Sequence, residues 1–166
     1  MAKVEKSAKD EPTFGESARG VADRLFRTAS ECIRQRERFA RLVDAGTHDS
    51  EQQAALRVAC LCDELLFESA RAYEQTVTAE ASHRDEDWCQ KANALWHACR
   101  EYERRHRNCD ESSKQLGSHK VHKLRELALE YDFEASALLA LKLATAAYAK
   151  ACPEAQLDKH PQTYLA

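Results

Sequence analysis

The residues of this sequence best suited to do chemistry are its cysteines and histidines, seven of each. One group stands out: Cys32, Cys62 and His106, with Cys60 beside them. Two thiolates and an imidazole would suit Zn(II) or Cu(I), both of which accept sulfur ligands. Their spacing is not that of a zinc module, so only the fold could assemble them. Packing is the commoner origin of such a group, because cysteine behaves as a small hydrophobe and buried His and Tyr satisfy one another by hydrogen bonding. The expectation is therefore no cofactor, with a Zn or Cu(I) site as the alternative.

The other candidates are weaker. Cys89, Cys99 and Cys109 recur every ten residues, which turns each by about 80° from the last on a helix. Cys60-Leu61-Cys62 places its two thiols about 160° apart. Two Glu-x-x-His tetrads occur, Glu80 to His83 and Glu103 to His106, as di-iron bundles use. They fall about 30 Å apart along the helices, too far to share a metal pair. No phosphate-cradling Gly-rich loop, nucleophile elbow or HExxH helix is present. An enzyme is not the favoured reading.

The elements that must position these residues follow from three short interruptions: Ala45 to Asp49, Ser82 to Arg84, and Leu116 to Ser118. Gly46 and Gly117 can take the left-handed conformation that ends a helix, and Asp49 or Ser50, Ser82 and Ser118 can cap the next. Only 4 Gly and 3 Pro occur, and 32% of residues are charged beside 43% hydrophobic, as in long amphipathic helices. Helices are expected over about 17–45, 50–81, 85–116 and 119–152, flanked by mobile tails at 1–16 and 153–166. Loops this short make consecutive helices antiparallel, so the fold class is all-α, an up-down-up-down four-helix bundle.

Apolar stripes fix which residues face inward. The first helix gives Ala22, Leu25, Ala29, Cys32 and Val43, with Arg36 as a charged intruder. The second gives Val58, Leu61, Cys62, Leu65 and Tyr73. The third gives Ala92, Leu95, Cys99, Tyr102 and His106, and the fourth Leu124, Ala128, Tyr131, Ala135, Leu141 and Tyr148. Across the first loop, residues whose numbers add to about 95 share a level. Cys32 and Cys62 then meet at the height of Tyr102, His106 and Tyr131. A Cys32–Cys62 disulfide is disfavoured, since facing helix axes lie about 8–10 Å apart.

His122-Lys123-Leu124-Arg125 resembles the core of the histidine-phosphotransfer motif, whose domains are four-helix bundles with an exposed phosphorylated histidine. The resemblance covers four residues and implies His122 as phospho-acceptor, the third of the functional readings. Bacterial copper-storage bundles share the expected architecture, but their CxxxC repeats have no counterpart here.

Net charge is −3, which implies no general affinity for nucleic acid or acidic membranes. Basic residues nevertheless concentrate at one end of the bundle, the end formed by the first and third loops. Arg34, Arg38, Arg104, Arg105, Arg107, Lys120 and Lys123 would form a basic surface for an acidic or phosphorylated partner. No stretch is apolar and long enough to span a bilayer, and residues 1–16 lack the apolar core of a secretory signal. The leading expectation is a cytoplasmic, non-enzymatic binding or scaffold protein with a protein partner or self-association. It includes no membrane, and nucleic acid is a disfavoured partner.

Overall fold

The computed structural model describes residues 17–79, 86–114 and 121–156. They form α1 (Ala18–Asp44), α2 (Asp49–Ala79), α3 (Asp87–Lys114) and α4 (Val121–Ala151), then a 3-10 turn at Pro153–Gln156. Consecutive helices are antiparallel, as side-chain pairs along them show: Cys32 meets Asp63, Tyr73 meets Asn93, and His106 meets Glu134. The fold is the four-helix bundle that the interruptions imply. Its closest packing lies within two hairpins, α1 with α2 and α3 with α4, which are then laid together.

Local chemistry explains the ends that are described. Ser17 is extended, and its hydroxyl accepts from the Gly20 N–H at 3.1 Å, capping α1. At the other end Gly46 sits at φ 63°, the left-handed conformation that glycine adopts without cost. The amides of Ala45, Gly46 and Thr47 turn back onto the carbonyls of Arg41, Val43 and Leu42, satisfying the last turn. α2 begins at Asp49, so Asp49 and Glu51 lie in the first turn, against the positive end of the helix dipole. The second and third interruptions, residues 1–16 and residues 157–166 lie outside the described residues.

The core joins Leu25, Phe26 and Cys32 of α1 to Leu66, Phe67 and Tyr73 of α2, Leu95, Cys99 and Tyr102 of α3, and Leu141 and Tyr148 of α4. Three sequence expectations are corrected. On α2 the buried face is Ala55, Ala59, Asp63, Leu66, Ala70 and Tyr73; Leu61 is 57% exposed and Leu65 also faces outward. On α4 Leu124, Ala128, Tyr131 and Ala135 are exposed, and Leu127 and Ala137 point inward instead. On α1 the stripe stops short of Val43, which is exposed.

After α4 the segment Pro153–Gln156 packs back on the bundle. Cys152 and Ala155 are buried, the 3-10 turn packs on α1 and α4, and Glu154 pairs with Arg19. Among the described residues, no helix is long and apolar enough to cross a membrane.

Candidate functional site

At the level where the sequence placed a cysteine pair, the structure has one carboxylate. Asp63 is 1% exposed, and four donors converge on it. Cys32 Sγ donates to Oδ1 at 3.0 Å, Tyr102 Oη donates to Oδ1 at 3.2 Å, and Arg36 Nε donates to Oδ1 at 3.4 Å. Arg36 Nη2 donates to the second oxygen, Oδ2. The charged intruder of α1 is thus the counter-ion of a buried acid on α2.

A second pair adjoins the first. His106 Nδ1 lies 2.6 Å from Glu134 Oε1, and because a carboxylate only accepts, Nδ1 is the donor of this bond. Its Nε2 stands 3.9 Å from Asp63 Oδ2. The rings of Phe67, Tyr102 and His106 pack about this node with centroids 5.9–6.0 Å apart. All four helices contribute a polar group to it.

The electrostatics favour the neutral thiol and hydroxyl at this node. Burial, then the Asp63 charge, pushes the Cys32 thiol and the Tyr102 hydroxyl well above their ordinary values, so both stay protonated. Burial alone would lower Arg36, but the hydrogen bond and charge of Asp63 outweigh it and hold the guanidinium above its usual value. Burial would likewise raise Glu134, yet the hydrogen bond and charge of His106 hold its carboxyl below the ordinary range.

This arrangement gives the metal reading no support. Metal ligation needs thiolates, and here the thiols are held neutral beside an arginine whose charge would repel a cation. Cys62 is half-buried with Glu31 and Arg34 as charged neighbours, and Cys60 is exposed; burial raises both thiols. Among the described residues, no group of three or more His, Cys, Asp or Glu side chains is arranged to hold a metal ion. All seven cysteines are free, with Cys32 and Cys62 unbridged.

The tetrad Glu103 to His106 splits between two faces: His106 turns to α4, and Glu103 turns to α2. Glu80 and His83, the other tetrad, lie outside the described residues, as does the His122 side chain.

Glu103 anchors the second candidate site, a basic groove. It is itself buried, and three guanidiniums reach its carboxylate. Arg71 of α2 donates at 3.2 Å, Arg100 at 2.6 Å, and Arg107 through Nη2 at 2.9 Å and Nε at 3.2 Å. Arg107 also lies over the Phe67 ring, 5.8 Å from its centroid. Two residues earlier, Glu101 accepts two bonds from Arg104 at 2.7 and 2.9 Å and one from Arg105 at 2.8 Å. The Arg104 hydrogen bond is the main reason that the Glu101 carboxyl is lowered.

His97, Arg100, Glu101, Glu103, Arg104 and Arg107 line an open groove of about 530 Å³ on α3. One buried carboxylate under three arginines leaves an excess of positive charge. Each arginine uses only one or two of its five N–H donors on Glu103.

The basic residues expected from the sequence do not form one surface. Arg104 and Arg107 line the groove, whereas Arg105 turns toward α4, with its guanidinium 4.5 Å from the Phe133 ring centroid. Arg34 pairs with Glu31 on its own helix, Arg38 is exposed on α1, and Lys123 is half-buried on α4. Lys120 lies outside the described residues. Arg71 and the organising Glu103 were missed. The available signal was the i, i+3 and i, i+4 spacing of Arg100, Glu103 and Arg107, which puts both arginines beside one acid.

No protein-family model matches this chain, and no curated protein or solved structure matches it either.

Proposed function

We propose that this chain is a non-enzymatic helical-bundle binding protein whose α3 groove takes a phosphorylated or acidic segment of a partner protein. The observation that carries the reading is the buried Glu103 carboxylate beneath Arg71, Arg100 and Arg107. Glu103 holds the three planar guanidiniums in fixed positions, and their remaining N–H groups can receive phosphate or carboxylate oxygens in paired hydrogen bonds. Because the side chains are already ordered by the acid, less rotamer entropy is lost when an anion arrives. The protonated, hydrogen-bonded node around Asp63 supports a structural rather than a catalytic use of the cysteines and of Tyr102.

Heparin chromatography, using heparin as a generic polyanion, tests the groove. The protein should be retained and elute with salt. Arg100→Glu with Arg107→Glu should abolish retention, and Arg34→Glu with Arg38→Glu should leave elution almost unchanged. Glu103→Gln should shift elution to higher salt, because it removes a buried acid that competes with the bound anion for the same guanidiniums. Absence of retention, or equal losses from the two arginine pairs, would overturn the proposal.

A further inference from the structure

α4 is apolar on two opposite sides. Its inner side, with Leu127, Ala137, Leu141, Thr145 and Tyr148, is buried in the bundle. Diametrically opposite runs a second series, Leu129, Asp132, Ser136, Leu139, Leu143, Ala146 and Lys150, at alternating steps of three and four, and every member is exposed. That alternation is the seam spacing of a coiled coil. Leu129 is 55% exposed, Leu139 58% and Leu143 65%. Exposed alanines at 135, 140 and 147 flank the seam and leave room for close approach. Lys142, the charge beside Leu143, is drawn aside to Glu37 of α1 at 2.8 Å.

We propose that this outer seam pairs with the same seam of a second copy of the chain, antiparallel, about a two-fold axis beside Leu141. In that register Leu139 of each copy faces Leu143 of the other, Ser136 faces Ala146, and Asp132 faces Lys150. The end charges are what fix the choice. Asp132 and Lys150 are exposed, and neither forms an ion pair among the described residues. The antiparallel pair supplies each with its opposite, twice by symmetry.

Sliding the helices by one heptad instead puts Asp132 against Leu143 or, in the other direction, Lys150 against Leu139, leaving a charge beside a leucine. A parallel pair would set Asp132 against Asp132 and Lys150 against Lys150. In that register the two helices overlap over a strip about 30 Å long and about 10 Å wide, so the interface totals on the order of 600 Å², the size of a weak, transient contact. The dimer should therefore dissociate on dilution, with a dissociation constant in the micromolar range.

Sedimentation velocity over a concentration series, from low micromolar to near-millimolar, reads this directly. The unaltered chain should pass from monomer to dimer. Leu143→Glu, at an exposed position that leaves the bundle core untouched, should weaken the dimer at least about 100-fold, with an unchanged thermal melt as the control. Asp132→Lys and Lys150→Asp should each weaken it, and the two together in one chain should restore it. The proposal is overturned by a chain that stays monomeric throughout, by an association that survives Leu143→Glu, or by a double exchange no better than the single ones.

Discussion

The Cys32 thiol of α1 donates to the Asp63 carboxylate of α2 at 3.0 Å, so a sulfur–oxygen hydrogen bond closes the first hairpin inside the core. The same carboxylate holds Arg36 and Tyr102, which ties α3 to that hairpin. A charged residue with 1% exposure is tolerable only because each of its oxygens has a partner.

Removing Asp63 should therefore cost far more than removing the pair. Asp63→Ala leaves Arg36 charged and partnerless, at about 3–5 kcal/mol. Asp63→Leu with Arg36→Met replaces both by apolar groups of similar size and should recover most of that loss. Urea denaturation of the single and double variants measures the coupling. Equal costs for the two would show that the ion pair does not organise the node.

Alkaline pH should destabilise the bundle through its thiols. Burial raises Cys32 and Cys99 strongly and pushes Cys109 up to about 12. The folded state thus favours the neutral thiol, and its full contribution is present below the unfolded thiol value of about 8.5. It is lost as pH climbs from there toward the folded values. Thermal melts in reductant should begin to fall near pH 8.5, and more steeply above about 10, since burial also raises Tyr73, Tyr102 and Tyr148. In the native protein a thiol reagent should label Cys60 first and Cys62 next, with the buried five reacting only on unfolding. Rapid labelling of all seven would contradict this.

Gly46→Ala should lower stability by about 1–2 kcal/mol, the cost of a left-handed conformation with a Cβ. Nothing lies within 4 Å of where that Cβ would stand, so the loss comes from backbone strain alone. Gly46→Asn should cost less, because asparagine tolerates this region. Similar melting temperatures for the two variants would mean that the turn relaxes around them.

The helices were legible because their signals are local: Ser17 and Gly46 act through their own backbone, and the spacing of Ala92, Leu95, Cys99 and Tyr102 on α3 needs no knowledge of partners. Face assignment failed on α2, where periodicity chose Leu61 and Leu65 over a stripe that passes through Asp63. An acid reads as outward unless its counter-ion is known, and that counter-ion, Arg36, stands on another helix. It failed again on the first half of α4, where Tyr131 and Leu124 are exposed, because a helix apolar on both sides gives periodicity no face to prefer. The sequence brought Cys32, Tyr102 and His106 to one height but did not show the carboxylate they gather around, for the same reason. The groove was half visible: Arg104 and Arg107 were named, but Glu103, the acid that collects the guanidiniums, was read only as part of a failed metal tetrad.

The packing of α1 on α2 and of α3 on α4 has a kinetic consequence. Most of the core joins residues within one hairpin, close in sequence, so little loop entropy stands between the unfolded chain and its first cooperative units. Each hairpin can form early, and low contact order of this kind goes with folding in microseconds to milliseconds. The slow event is the meeting of the hairpins, when Tyr102 must find an Asp63 already held by Arg36. A polar lock that closes last lets wrongly matched hairpins separate, because only the correct alignment satisfies the buried carboxylate.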